Sequence, residues 1–204
     1  MQRSFLVFAV AFVALMAGAL FYAARLPVAE QAATPPSPAP TESLVPSGPV
    51  NVAFELADMA GEQRDFSEWA GKHRVLNFWA TWCAPCRREI PLLKAFQDNH
   101  DANGIQVIGI AVDFPEPVVE YAKAAEFNYP ILVGEQDAMA VAETSGVDFI
   151  GLPFTMFVDG DGELIGTHMG EIHKEQLDTV ATTLAQLDSG EIDNDAARTV
   201  LNAL

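Results

Sequence analysis

The 204-residue chain contains only two cysteines, Cys83 and Cys86, which are separated by Ala84 and Pro85. Such a pair can form a structural disulfide, hold a metal ion, or carry out thiol–disulfide exchange. A disulfide that closes so short a loop stabilises a fold by only about 2 kcal/mol. A purely structural bridge is therefore a poor use of the only two cysteines.

Metal binding is the second possibility. Structural zinc takes four cysteine or histidine ligands, and the chain's histidines have no zinc-site spacing: they are His73, His100, His168 and His173. Copper prefers soft thiolate ligands. A copper site built from the two cysteines and a distant histidine such as His168 therefore remains open.

Thiol–disulfide exchange is the third possibility, and the local pattern favours it. Cys83 follows an apolar run and opens a predicted helix, where unpaired N–H groups and the helix dipole stabilise a thiolate. Pro85 falls in the first helical turn, where its missing N–H costs nothing. Cys86 is close enough to attack a mixed disulfide made by Cys83.

The exchange also needs a group that accepts the second proton. Glu89 follows Cys86 by three residues, so the two occupy neighbouring positions on a helix. The alternative is a glutamate that only complements the helix dipole. Arg87 and Arg88 either add positive charge near the cysteines or form a solvated helix face. Spacing alone leaves these alternatives open.

The elements around the cysteines follow a strand–helix–strand pattern. The runs RVLNFWA (74–80) and GIQVIGIAVD (104–113) are typical of buried parallel strands. Between them, Ile90, Leu93 and Phe96 recur at helical spacing. This order predicts two parallel strands joined by a right-handed crossover.

The remaining sequence predicts more strands and helices of the same α/β class. Glycine-rich turns indicate two hairpins, and amphipathic segments indicate three helices. The final 16 residues either add a helix or fray. The predicted segments are hairpins over 52–66 and 154–170, helices over 115–127, 137–146 and 173–187, and a strand over 129–134.

The N-terminal part has a different composition. Residues 4–24 carry no charge and as a helix would span about 30 Å, the thickness of a bilayer core. They exceed the usual apolar region of a signal peptide, so a membrane anchor is favoured over a cleaved signal or a core helix. With no cysteine nearby, a lipoprotein anchor is excluded.

Composition also sets the domain boundaries. Residues 27–49 are rich in Pro, Ala, Ser and Thr, which predicts a semi-extended tether. We therefore predict an anchor or signal segment over 1–26, the tether over 27–49, a folded domain over 50–189 and a tail over 190–204. The net charge of −17 argues against nucleic acid as a partner.

Two segments resemble a known family. VLNFWATWCAPCRREIPLL, with Pro91 inside the helix, resembles the active-site segment of the thioredoxin superfamily, and most closely the membrane-anchored, extracytoplasmic TlpA/ResA type. GLPFTMFVDGDGELIG resembles that family's cis-proline strand and hairpin. The resemblance implies an α/β thioredoxin-like fold: a central mixed sheet flanked by helices, with an added N-terminal β-hairpin and a helical insertion.

The resemblance also implies catalytic roles. Cys83 would be the exposed nucleophile and Cys86 the buried resolving thiol. Cytoplasmic thioredoxins carry a buried aspartate where this chain has Asn77. The TlpA/ResA group places its acid at the position of Glu89, which would accept the proton of Cys86.

Further residues would bind the client. Pro153 would follow a cis peptide bond and present the backbone of Leu152 to an extended client segment. Trp82 and Pro85 would lie beside the disulfide and complete the substrate-binding set. The chemistry would need no cofactor beyond the Cys83–Cys86 disulfide itself.

The resemblance thus implies an extracytoplasmic thiol:disulfide oxidoreductase, on the outer face of a bacterial inner membrane with a single-pass anchor. We expect a reductant of client disulfides in cytochrome c maturation or oxidase copper-site assembly. Its partners would be an apocytochrome c or a copper-site assembly factor, and a membrane electron donor. The competing hypotheses are a copper-binding chaperone that uses the same cysteines and a non-catalytic interaction module.

Overall fold

The computed structural model describes residues 50–204, so the predicted anchor and tether lie outside the described residues. A five-stranded mixed sheet with strand order β5-β4-β3-β6-β7 forms the centre. A separate antiparallel hairpin precedes it. The strands are β1 (Glu55–Ala57), β2 (Gln63–Asp65), β3 (His73–Trp79), β4 (Ile105–Val112), β5 (Ile131–Gly134), β6 (Phe154–Val158) and β7 (Leu164–Met169).

Five α-helices and two short 3₁₀ helices, Phe66–Trp69 and Asp101–Asn103, accompany the strands in the described part of the chain. The predicted helix over 115–127 ends two residues early, because Glu126 adopts a left-handed conformation. The final residues form a helix rather than fraying. The α-helices are α1 (Ala84–His100), α2 (Pro115–Ala125), α3 (Gln136–Thr144), α4 (Lys174–Asp188) and α5 (Asn194–Leu201).

The predicted parallel pair is confirmed. β3 pairs in parallel with β4, which pairs in parallel with β5, and β6 joins β3 antiparallel. All seven residues of β3 are buried, as expected for a central strand covered on both faces. The carboxyl ends of β3 and β4 and the start of β6 therefore meet at one edge of the sheet, which we call the carboxyl edge.

Each face of the sheet has its own hydrophobic core. Trp79 and Val75 of β3 pack with Leu93 of α1 and Val180 of α4 on one face. On the other face, the 3₁₀ helix Phe66–Trp69 and α3 cover a second core, which includes Phe78 and Ile108 from the sheet. The result is a three-layer α/β/α arrangement, and it confirms the expected thioredoxin-like fold.

Both predicted hairpins are present. β1 and β2 are joined by a turn in which Gly61 has a φ of +82°. β6 and β7 are joined through Gly162, with a φ of +98°. A left-handed backbone of this kind favours glycine.

Helix α5 packs against the edge strand β7. A Cβ atom on Gly166 of β7 would lie 2.6 Å from the Cβ of Leu201, so the glycine permits this close approach. Asn202 accepts a hydrogen bond from the Thr167 N–H at 2.9 Å, and Arg198 forms an ion pair with Glu163. These contacts hold the C-terminal helix on the sheet.

Across residues 50–204, every helix is too short or too polar to cross a bilayer.

Candidate active site

The two cysteines lie between β3 and α1 at the carboxyl edge and form a disulfide. Cys83 is the N-cap residue of α1, and its sulfur accepts the N–H of Cys86 at 3.3 Å. The first helical turn, which includes Pro85, follows directly. A sulfur at this position faces the positive end of the helix dipole, which lowers the free energy of a thiolate.

The two sulfurs differ in accessibility. Cys83 retains 5 % of its surface and Cys86 retains none. Cys83 is thus the more accessible of the two, which agrees with its role as nucleophile and with that of Cys86 as resolving thiol. The expectation that Cys83 is exposed is wrong for the disulfide form, because Cys83 is buried. Its sulfur is bonded to Cys86 and accepts the N–H of that residue.

Asp113 holds the loop in front of the cysteines. Its Oδ2 atom accepts the backbone N–H of Thr81 at 2.9 Å and the hydroxyl of the same residue at 2.6 Å. Its Oδ1 atom accepts the N–H of Phe114 at 2.8 Å. One buried carboxylate thus ties the segment after β3 to the segment after β4.

Glu89 is fully buried on α1. Its Oε1 atom accepts a hydrogen bond from the Asn77 amide at 2.8 Å, and its Oε2 atom accepts the Ile172 N–H at 2.8 Å. Burial raises the pKa of Glu89 to about 7, and these two hydrogen bonds oppose the rise only in part. A group with this pKa can gain and lose a proton near neutral pH.

Asn77 connects Glu89 to the next strand. Its Nδ2 group also donates to the hydroxyl oxygen of Thr155 at 3.2 Å, while its buried Oδ1 atom has no partner among the described residues. Both donors of the amide are therefore used, and Asn77 presents N–H to the carboxylate. This polarity suits an ionised Glu89.

The Leu152–Pro153 peptide bond is cis, as the resemblance implies. The Pro153 carbonyl accepts the N–H of Gly170 at 2.9 Å, which joins this loop to the end of β7. Leu152 is half-buried. Trp82 keeps 69 % of its surface exposed, so it can contact a partner at this edge.

The basic residues of α1 contribute less charge than their number suggests. Arg88 forms a bidentate ion pair with Glu171. This pairing offsets one of the two charges, so only Arg87 adds uncompensated positive potential on this turn. The helix dipole and N–H groups remain the main local stabilisation of a Cys83 thiolate.

The structure does not join the histidines to the cysteines. His168 lies on β7, opposite Thr155 of β6, and is buried. Within residues 50–204, no cluster of three or more His, Cys, Asp or Glu side chains could hold a metal ion. The copper hypothesis therefore has two sulfur atoms and no further ligand in the described structure.

The carboxyl edge thus brings together the predicted catalytic residues Cys83, Cys86 and Glu89 with the predicted substrate-binding residues Trp82, Pro85, Leu152 and Pro153. Two contributors escaped sequence reasoning. Asp113 could have been found from its place directly after β4, beside the end of β3. The Ile172 N–H carries no side-chain signal, so only the folded chain reveals it.

Comparisons with known proteins place these residues in context. The model of the AhpC/TSA family matches residues 49–167. The thiol-disulfide oxidoreductase ResA of Geobacillus kaustophilus is 32 % identical over 126 residues, which cover 61 % of this chain and 70 % of the relative.

Solved structures show the same fold. The putative thiol:disulfide interchange protein DsbE from Chlorobium tepidum superposes with a TM-score of 0.59 at 22 % identity, covering 68 % of this chain and 94 % of that one. StoA from Bacillus subtilis gives a TM-score of 0.51 at 25 % identity, covering 63 % and 95 %.

Proposed function

Because the chain belongs to the AhpC/TSA family, and within it to the TlpA/ResA-type thiol–disulfide oxidoreductases, we propose that it acts as a reductant of client protein disulfides. The observation that carries the proposal is the buried Glu89 carboxylate on the same helix as Cys86. Glu89 follows Cys86 by three positions, so the two side chains are neighbours on the surface of the α-helix.

In the first half of the reaction, the reduced protein meets a client disulfide. The Cys83 thiolate attacks one client sulfur, the client S–S bond breaks, and an intermolecular disulfide forms. The second client sulfur leaves as a thiolate and takes a proton from water. The N-terminal end of α1 favours the attacking thiolate before this step.

In the second half, the mixed disulfide is resolved. Glu89 accepts the proton of the Cys86 thiol, and the resulting thiolate attacks the sulfur of Cys83. The intermolecular bond breaks, the remaining client sulfur leaves as a thiolate and takes a proton from water, and Glu89 releases its proton to water. Two electrons have passed to the client, and the protein is left with the Cys83–Cys86 disulfide, which is the form in the structure.

The client would bind along the cis-proline loop. The half-buried Leu152 precedes Pro153 at the carboxyl edge, where its backbone can pair with an extended segment. Trp82 directly precedes Cys83 and Pro85 lies between the two cysteines, and both would contact the same client. The residues around the disulfide would therefore bind the client as well as carry out the exchange.

The proposal includes the direction of electron transfer, from this protein to the client, and the location of the protein in the cell. An oxidising compartment already forms disulfides, so a dedicated enzyme is needed there for reduction. We place the domain on the outer face of a bacterial inner membrane, anchored by residues 4–24, with apocytochrome c or a copper-site assembly factor as client. A thiol–disulfide electron donor in the membrane would regenerate the dithiol.

The reduction potential tests this direction. The full chain is equilibrated in dithiothreitol and glutathione buffers, and the dithiol fraction is measured by alkylation. A potential of about −270 mV or lower supports a reductant, whereas a value near about −120 mV marks a disulfide donor and overturns the proposal. Cys86→Ser should accumulate the mixed disulfide, while Cys83→Ser should form none.

A further inference from the structure

Three consecutive residues between β7 and α4 each contact a different part of the site. Gly170 donates its N–H to the carbonyl of the cis proline at 2.9 Å, and Ile172 donates its N–H to Glu89 at 2.8 Å. Between them, the two carboxylate oxygens of Glu171 lie 3.0 Å and 3.1 Å from Nε of Arg88. We call these three residues the connecting segment, and only its middle residue is charged.

The backbone of the connecting segment is fixed by contacts other than the ion pair. The Ile172 side chain is fully buried in the core that also contains residues of β3 and α4. Gly170 has a φ of +104°, a left-handed conformation that favours glycine. Directly after the segment, the His173 N–H donates to the Gln176 side chain at 2.8 Å. The charges of Glu171 and its partner are therefore the part of this contact that can affect the reaction.

The ion pair lies beside the hydrogen bond that Glu89 accepts. Arg88 precedes Glu89 on α1 and Glu171 precedes Ile172, so both contacts join the same helix to the same segment. The side chain of Arg88 is 61 % exposed and that of Glu171 is 21 % exposed, whereas Glu89 is fully buried. Burial is the main cause of the raised pKa of Glu89, and the negative charge of Glu171 adds to the rise, because like charges oppose ionisation.

Further titratable groups lie on the elements packed around the catalytic carboxylate. Burial raises the pKa of Tyr129, before β5, and lowers that of His168, on β7, so both are neutral near neutral pH. Cys86 carries the proton that is to be transferred. The pKa of Glu171 is lowered mainly by the hydrogen bonds of its ion-pair partner, and His173 contributes in the same direction. The His173 imidazole therefore needs a control of its own.

We propose that Glu171 and Arg88 are positioning residues for the exchange reaction, which act through Glu89: the balance of their two charges controls the transfer of the Cys86 proton to Glu89. This inference rests on the proposed function and adds the electrostatic control of the same site. An uncompensated Glu171 would keep Glu89 protonated and unable to accept a proton. An uncompensated Arg88 would favour the ionised form, which can accept one.

The two halves of the ion pair should therefore have opposite effects. Arg88→Gln leaves the Glu171 charge uncompensated, so the pH midpoint at which the resolution rate rises should move up by about half a pH unit. Glu171→Gln leaves the Arg88 charge, so the midpoint should move down by a similar amount. A purely structural ion pair would be lost equally in both variants and would move both midpoints in the same direction. Shifts of the same sign, or none, overturn the proposal.

The kinetic test uses the full 204-residue chain, reduced with dithiothreitol and freed of the reductant. The chain is mixed with glutathione disulfide at values between about pH 5 and about pH 9. Quenched-flow alkylation then gives the rate at which the mixed disulfide is resolved at each pH. The wild-type rate should rise with a midpoint close to the Glu89 pKa of about 7, and each variant is compared with this midpoint.

A second measurement follows Glu89 itself without turnover. The oxidised full chain is isotope-labelled at the carboxyl carbon of glutamate, and the signal that is lost in Glu89→Gln identifies this residue. Its titration midpoint is then read by NMR. We expect Arg88→Gln to raise this midpoint and Glu171→Gln to lower it, as in the kinetic test.

An ion pair within α2 provides the matched controls. Lys123→Gln and Glu120→Gln break this exposed pair and change the net charge by the same amounts as the two test variants, and both should keep the wild-type midpoint. His173→Asn removes the neighbouring imidazole and should keep the rise of the resolution rate with pH. Control midpoints that move as far as those of the test variants, or loss of the rise in His173→Asn, would overturn the proposal.

The two measurements separate a failure of this inference from a failure of the proposed function. If the reduced chain does not react with glutathione disulfide, or if the wild-type resolution rate does not rise near about pH 7, the proposed function fails and this inference falls with it. If the wild type behaves as expected but the NMR midpoint of Glu89 is the same in Arg88→Gln and Glu171→Gln, only this inference fails. NMR shifts without matching kinetic shifts would also overturn it, since the charges would then act on Glu89 but not on the reaction.

Discussion

Glu89 and Ile172 are joined by a hydrogen bond of 2.8 Å from a backbone N–H to a fully buried carboxylate. The two residues are 83 positions apart, so the bond forms only in the folded chain. It holds the segment after β7 over the helix that carries both cysteines. The same carboxylate is the proposed proton acceptor, and this contact links the stability of the fold to its chemistry.

Glu89→Gln should change the pH dependence of stability. The pKa of Glu89 is raised from 4.5 to about 7 in the folded protein, so folding favours the protonated form. Its contribution is complete below 4.5 and is lost as pH rises through about 7, at a cost of about 3 kcal/mol. Glutamine does not titrate, and the variant should gain about this much relative to wild type at high pH.

Denaturant unfolding of the oxidised proteins at about pH 4 and about pH 8 measures this difference. Glu120→Gln is the control, because Glu120 is exposed. The difference in free energy of unfolding between Glu120→Gln and wild type should not increase with pH in the same way. A Glu89→Gln difference that is equal at both pH values would contradict the prediction.

Glu89→Gln should also slow the resolution of the mixed disulfide. Without an acceptor for the Cys86 proton, the second step should fall by about 100-fold, while formation of the mixed disulfide by Cys83 continues. Quenched-flow alkylation measures the intermediate. In wild type the resolution rate should rise as pH passes the Glu89 pKa of about 7, and the variant should lack this rise. Unchanged pH profiles would assign the proton to another acceptor.

Asp113→Asn should loosen the loop in front of the cysteines. The carboxylate accepts three hydrogen bonds from Thr81 and Phe114. In asparagine an NH₂ group replaces one carboxylate oxygen, and this donor would then face a donor of Thr81 or Phe114. We expect a loss of about 2 kcal/mol in the free energy of unfolding. Asp148→Asn, at an exposed position in a neighbouring loop, is the control. Equal stability of the two variants would show that the three bonds add nothing.

Gly166→Ala should weaken the contact between β7 and α5. The new methyl would lie 2.6 Å from the Leu201 Cβ, so the helix must move, at a cost of about 1–3 kcal/mol. Gly160→Ala is a matched change at a position where the closest atom is 3.8 Å away. Thermal unfolding of both variants measures the difference in stability. A Gly166→Ala protein as stable as Gly160→Ala would disprove tight packing of α5 on β7.

Much of the fold could be predicted because the signals are local. The apolar runs of β3 and β4, the helical spacing between them and the glycines of both hairpins each depend on neighbouring residues. The end of α2 was predicted two residues too late, since the left-handed Glu126 leaves no sequence mark. The last helix could not be separated from a frayed tail because its contacts with β7 form only in the folded chain.

By itself, the sequence determined the cysteine pair, the helix that begins at it and the place of Glu89 on that helix, since spacing along a helix defines which side chains are neighbours. Only the tertiary structure decided how acidic Glu89 is, because its pKa depends on burial and on Ile172, a residue 83 positions away. It also decided that Glu171, the residue before Ile172, forms an ion pair with Arg88 beside Glu89. Contacts between distant parts of the chain set both properties, and no local pattern encodes them.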